Sequence, residues 1–159
     1  MKKSVLKVQM FGSYEIEYEG NPVSFERNTT TKTNQLMQIL LQAGEKGVTR
    51  AKLLSDLFGN EEMSNPANSL RATVFRLRRL LAAAGLPEDE YVTIRGGSYY
   101  WTSGIPYELD AHQFEELLKK AEKENDLEQK KSYIEEACEL YRGEFLPQLG
   151  AEGWAVVLN

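Results

Sequence analysis

Residues 65–85 read NPANSLRATVFRLRRLLAAAG, and the reading of this stretch decides how the rest of the chain is understood. Asn65 is a favoured N-cap, and Pro66 then falls at the first helical position, where its missing N–H costs nothing. Gly85 and Pro87 supply the stop. Between them, Leu70, Val74, Leu77 and Leu81 recur at spacings of four, three and four. At ~100° per residue these side chains share an arc of roughly 60°. The far side holds Asn68, Ala72, Phe75, Arg76 and Arg79, with Arg71 and Arg78 on the flank. Four arginines and no acidic residue lie between residues 68 and 84. An apolar back and an Arg/Asn/Phe front fit the major groove of duplex DNA. They fit equally a surface helix whose arginines are solvated and, in its second half, favoured by the macrodipole.

The chain of 159 residues can hold one ordinary domain or two small ones. Its 42% hydrophobic and 27% charged residues describe a globular protein. Cys138 is the single cysteine, which excludes an internal disulfide framework and a cysteine-based zinc site. It shares helical spacing with Ile134, Ala137 and Tyr141, so a buried structural thiol is expected. No stretch approaches the ~20 apolar residues of a membrane span. The opening MKKSVLKVQM is too short and polar for a signal peptide, so a cytoplasmic protein without a membrane partner is expected. The net charge of −5 is unevenly spread. Residues 1–104 carry 13 Lys/Arg against 11 Asp/Glu, whereas residues 105–159 carry 6 against 13. That break suggests two functional units, 1–104 and 105–159.

The first segment alternates as strands do: Val8 and Met10, then Tyr14, Ile16 and Tyr18, then Val23 and Phe25. Turns at Gly12-Ser13 and Gly20-Asn21-Pro22 predict a small antiparallel sheet. Residues 29–33 offer N-caps for a helix that buries Leu36, Ile39, Leu40 and Ala43 and ends near Gly44 or Gly47. Thr49 caps a short helix with Leu53, Leu54, Leu57 and Phe58 inside, closed by Gly59. A polar loop of Asn60, Glu61, Glu62, Met63 and Ser64 leads into the arginine helix. Beyond it, residues 91–95 and 98–101 read as strands joined at Gly96-Gly97, a hairpin pair.

The order sheet, helix, helix, loop, basic helix, hairpin is that of a winged helix-turn-helix. Residues 5–102 resemble the OmpR/PhoB-type winged helix in the version found in SARP-type regulatory activators. The resemblance rests on FGSYEI (11–16), VTRAKLLSDLFG (48–59), SLRATVFRLRRLL (69–81) and TIRGGSYYW (93–101). This chain departs from that pattern twice. Ser98 stands where the wing usually has a second, separated glycine, and Phe75 takes a groove-facing position that is usually small and polar. The remainder, marked by YRGEFLP at 141–147, resembles the start of the bacterial transcriptional activator domain, a tetratricopeptide-like helical array. Asp110, Phe114, Leu117, Leu118 and Ala121 mark its first helix; Ile134, Ala137, Leu140 and Tyr141 mark its second. The expected fold is therefore α+β: a winged helix followed by a truncated tetratricopeptide-like domain. A fragment or a naturally shortened regulator is expected, because the second domain breaks off at Asn159.

Parts for catalysis are missing from the pattern. The sole histidine, His112, has no second histidine or thiol near it in sequence and reads as a helix-surface residue. The acids between Glu115 and Glu139 are interleaved with lysines, as on a solvated face. Gly96-Gly97 lies between strands rather than before a helix, so no phosphate-cradling loop is expected. No enzyme activity, cofactor or metal is expected. In the hairpin, alternation puts Tyr99 and Trp101 on one face, as core, and leaves Arg95 and Tyr100 available to DNA. The expected function is that of a sequence-specific transcription activator. The alternative is a protein–protein scaffold that uses the same fold without DNA. The expected DNA contacts are Asn68, Arg71, Ala72, Phe75, Arg76, Arg78, Arg79, Arg95 and Tyr100. The resemblance implies duplex DNA carrying direct repeats and a second copy of the chain as partners. It also implies RNA polymerase, met by Asn60, Glu61, Glu62, Met63 and Ser64, a loop whose residues fit an ordinary connector equally well. The closing apolar run Trp154, Ala155, Val156, Val157 and Leu158 is expected to fold back onto the chain.

Overall fold

The computed structural model describes residues 5–23, 31–59, 65–87, 89–102, 104–141 and 146. Strands β1 (Leu6–Gln9) and β2 (Glu15–Tyr18) pair antiparallel, from Leu6↔Tyr18 to Gln9↔Glu15. Alternation does its work here: Leu6, Val8 and Ile16 are buried, while Lys7, Glu15 and Glu17 face solvent. A short β3 (Asn21–Pro22) extends the sheet after a turn in which Gly20 takes φ +80°.

Helix α1 (Lys32–Ala43) starts at Thr31, whose hydroxyl accepts from the Asn34 N–H at 3.3 Å. It is the central helix of the molecule, burying Leu36, Met37, Leu40 and Leu41 but also Thr33, Asn34, Gln35 and Gln38. A 3₁₀ turn (Gly44–Lys46) and β4 (Val48–Thr49) lead into α2 (Arg50–Phe58). Thr49 caps α2 by accepting from the Lys52 N–H at 3.2 Å, as its position predicted. Helix α3 (Pro66–Ala83) packs on α1 and α2. Strands β5 (Val92–Arg95) and β6 (Ser98–Trp101) form the hairpin, and β4 pairs with β6 to make a second sheet of order β4-β6-β5.

The N-terminal sheet departs from the expected antiparallel one in two places: Asn21 and Pro22, expected in a turn, pair as β3 with β2, and a parallel strand is added. After the hairpin, β7 (Tyr107–Leu109) returns to lie parallel to β1, from Leu6↔Tyr107 to Val8↔Leu109, giving the order β3-β2-β1-β7. Helix α4 (Asp110–Lys123) begins at once, and α5 (Leu127–Leu140) packs along it. The Asp110 carboxylate is buried and accepts from the N–H groups of Met10 and Phe11 at 2.9 and 3.0 Å. The Leu146 N–H donates to the Met10 carbonyl at 2.7 Å. Phe11 packs against Phe114 and Tyr141, with ring centroids 5.3 and 5.1 Å apart.

Two expectations for this part are corrected. His112 is not a free surface residue: it is half-buried, and its Nε2 lies 2.7 Å from the Gln42 carbonyl at the end of α1. Beside it the Tyr107 hydroxyl donates to the Leu41 carbonyl at 2.8 Å. Burial, and then the charge of Glu45, pushes the Tyr107 phenol above its ordinary pKa. Cys138 is exposed rather than buried. Helix α5 meets one neighbouring helix and inserts only Ala137 deeply, so Cys138, ~100° further round, points away. Phe25, the loop from Asn60 to Ser64, and the run of Trp154, Ala155, Val156, Val157 and Leu158 lie outside the described residues.

Candidate nucleic-acid interface

The start of α3 is held by Asn65, whose side-chain oxygen accepts from the Asn68 N–H at 3.2 Å, with Pro66 at the first position. Leu70, Val74, Leu77 and Leu81 are all buried, so the line of four apolar residues is the inner face of the helix. That rotation fixes the rest. Asn68, Arg71, Ala72, Phe75, Arg76, Arg78 and Arg79 are all exposed, and no acidic residue occurs in α3. Arg71 and Arg76 have no ion-pair partner among the described residues. The Arg79 guanidinium lies 5.8 Å from the centroid of the Phe75 ring, which is 62% exposed.

Arg78 stands apart from the other three arginines. Its Nη2 donates to the Val92 carbonyl at 3.0 Å, which ties the helix to the first strand of the hairpin. It thus aligns helix and hairpin as one surface, a role the sequence did not reveal.

In the hairpin, Arg95 faces Ser98 across Gly96 and Gly97, which take φ +55° and +80°. Positive φ at both central residues is the twist-compatible hairpin turn, and glycine adopts it without strain. Ser98 therefore closes an ordinary two-residue turn. Tyr99 and Trp101 are buried, and Tyr100 is half-buried, as the alternation predicted. The exposed Arg95 guanidinium sits 4.8 Å from the Tyr100 ring centroid. At the base of the hairpin the Tyr91 hydroxyl donates to the Pro87 carbonyl. Burial first, then the nearby Asp89 charge, raises the Tyr91 pKa.

One basic residue of this surface was missed. The Arg50 N–H donates to the Gly97 carbonyl at 3.0 Å, which sets the exposed Arg50 at the hairpin turn near Arg95. Its sequence signal was a cation directly after the Thr49 cap. The β4–β6 pairing that brings it there links residues about fifty apart and leaves no local mark.

An exposed basic helix is thus braced against a glycine-turned hairpin. Residues 26–101 match the family described as "Transcriptional regulatory protein, C terminal". The chain carries an OmpR/PhoB-type winged helix. Protein RcaC of Microchaete diplosiphon is 30% identical over 121 residues, which cover 70% of this chain and 18% of that protein. Mycobacterium tuberculosis EmbR, solved in complex with a low affinity phosphopeptide, shares the fold at a TM-score of 0.71 and 19% identity. That likeness covers 99% of this chain, so it runs through the winged helix into α4 and α5, and 41% of the EmbR chain. The chain thus spans less than half the length of either relative. Among the described residues no helix is long and apolar enough to cross a membrane.

Proposed function

We propose that this protein is a transcription activator of the cytoplasm that binds duplex DNA at particular sequences. In this reading residues 65–84 enter the major groove, and the hairpin of residues 91–101 meets the minor groove or the backbone. The observation that carries it is the outward face of α3: exposed arginines with no acid among them, in a chain that is acidic overall. Arg76 and Arg79 contact guanine or phosphate, and Arg71 contacts phosphate. Arg95, with Tyr100 beneath it and Arg50 beside it, contacts the backbone at the wing. Residues 1–104 form the DNA-binding unit. Residues 105–159 begin a tetratricopeptide-like activator domain whose partners are proteins. That boundary is one of function and not of packing, because β7 and Asp110 are built into the first sheet. Two copies lie side by side on direct repeats, and the loop of Asn60, Glu61, Glu62, Met63 and Ser64 meets RNA polymerase.

Selection of bound fragments from a random DNA pool tests this reading. The expected result is an enriched site in direct repeat, bound more weakly by Arg76→Ala and Arg79→Ala, each by ~1–3 kcal/mol where a base contact is lost. An enriched site composed only of inverted repeats removes the tandem arrangement. Failure to enrich any sequence removes the DNA reading and leaves the scaffold in its place.

A further inference from the structure

Phe75 poses a problem for a surface built of arginines. A single exposed apolar side chain is ordinary on a protein surface. This one is an aromatic ring, 62% exposed, at the centre of the basic face. Ala72, also exposed, lies one turn before it and is too small to cover it. Arg79 lies one turn after, its guanidinium 5.8 Å from the ring centroid. Stacking of this kind restricts an arginine that would otherwise sample many rotamers, so less freedom is lost when it binds.

In the major groove one base presents an apolar group, the C5-methyl of thymine, and one base offers the paired O6 and N7 acceptors that suit arginine, guanine. A bare ring beside a pre-set guanidinium matches that pair of features. We infer that Phe75 and Arg79 act as one reading unit, Phe75 against a thymine methyl and Arg79 on a guanine close by. This rests on the DNA reading above and adds to it the identity of the bases. The spacing limits how close. Four residues advance a helix about 6 Å, and bases along one strand are about 3.4 Å apart. The guanine therefore lies within two base steps of the thymine. Arg76 lies ~100° round the helix from Phe75, beyond Arg79, and stacks on no ring among the described residues, so it is not part of the unit. The departure from the family pattern at Phe75 becomes, in this account, a base preference peculiar to this chain.

The test uses the enriched site and the whole chain. Each thymine in the site is replaced singly by deoxyuridine, which removes the methyl and leaves base pairing intact. Wild type loses about fourfold in affinity at one thymine, the worth of one methyl taken out of water. Phe75→Ala binds the thymine and uracil sites alike while melting at the wild-type temperature, as expected for an exposed ring. Arg79→Lys loses its discrimination between guanine and adenine at one position within two steps of that thymine. The inference is overturned if every uracil site binds wild type unchanged, or if Phe75→Ala keeps the uracil penalty. It is overturned too if the guanine sensed by Arg79 lies further than two steps away. In those cases an enriched site still exists and the DNA reading stands. With no enriched site, both fall together.

Discussion

Replacing Gly47 by alanine should weaken the wing from a position outside the proposed DNA contacts. Gly47 takes φ +67° and ψ −175°, a region that is close to glycine-only and costs a side chain about 1–3 kcal/mol. A Cβ there would also run into the edge of the Tyr100 ring and stand 2.9 Å from the Tyr99 carbonyl oxygen. Relieving the overlap means moving part of β6, at about 1–3 kcal/mol more. The expected total is about 2–6 kcal/mol, a large share of a stability of about 5–15 kcal/mol. Gly44 supplies the control. It too has positive φ, +62°, but a Cβ there meets nothing nearer than the Tyr107 hydroxyl at 3.8 Å. Gly44→Ala should therefore show the backbone strain alone. Urea unfolding of the two variants, at unchanged m, separates strain from overlap. Because Arg95 rests on Tyr100, Gly47→Ala should also lower DNA affinity towards that of Arg95→Ala, and Gly44→Ala should not. If Gly47→Ala is no more costly than Gly44→Ala, the packing of the 3₁₀ turn against the hairpin is not as described.

Arg95→Ala should weaken binding on all DNA sequences and reduce the salt slope by about one unit per lost phosphate contact, read from affinities across a salt series. Asp110→Ala strands the buried N–H groups of Met10 and Phe11, so urea unfolding should show a loss of about 2–5 kcal/mol, roughly halved in Asp110→Asn, which keeps one acceptor. The Tyr14 hydroxyl is buried with no hydrogen-bond partner among the described residues, and its burial drives its pKa far up. Unfolded tyrosine titrates near 10, so the folded state holds this proton while the unfolded chain releases it. Stability is then complete below about pH 10 and falls above it by about 1.4 kcal/mol per pH unit for this group. Tyr14→Phe should remove that share of the alkaline slope and raise stability at neutral pH by about 1 kcal/mol, measured by urea unfolding at a series of pH values.

Features with a local cause were legible in the sequence. Thr31, Thr49 and Asn65 each cap the helix that follows through a bond to a residue three positions on, a geometry fixed within one turn. Leu70, Val74, Leu77 and Leu81 set the rotation of α3, and with it which arginines are outside. Gly96-Gly97 set the hairpin turn. Features that depend on distant segments were hidden. The three residues of β7 are too few for alternation to register, and their partner β1 lies about a hundred positions away. The same holds for Arg78, which reads as one more cation until β5 brings the Val92 carbonyl beneath it. Cys138 shows the opposite error. Helical spacing identifies a helix but not how wide a stripe its neighbours cover, and α5 is covered narrowly.

The parallel strand β7 bears on how this regulator is inherited and handled. With β7 present, β1 is an interior strand between β2 and β7. A cut at residue 104 would turn β1 into an edge, baring a row of donors and acceptors beside buried Leu6 and Val8, and would strip the carboxylate from Met10 and Phe11. Such an edge invites pairing with any other strand it meets, including its own copy. A recombination event or an expression plasmid that ends the winged helix at its hairpin would therefore yield a sticky product. The viable breakpoint lies beyond the first turn of α4, so a winged helix exchanged between regulators must travel with β7 and the start of α4.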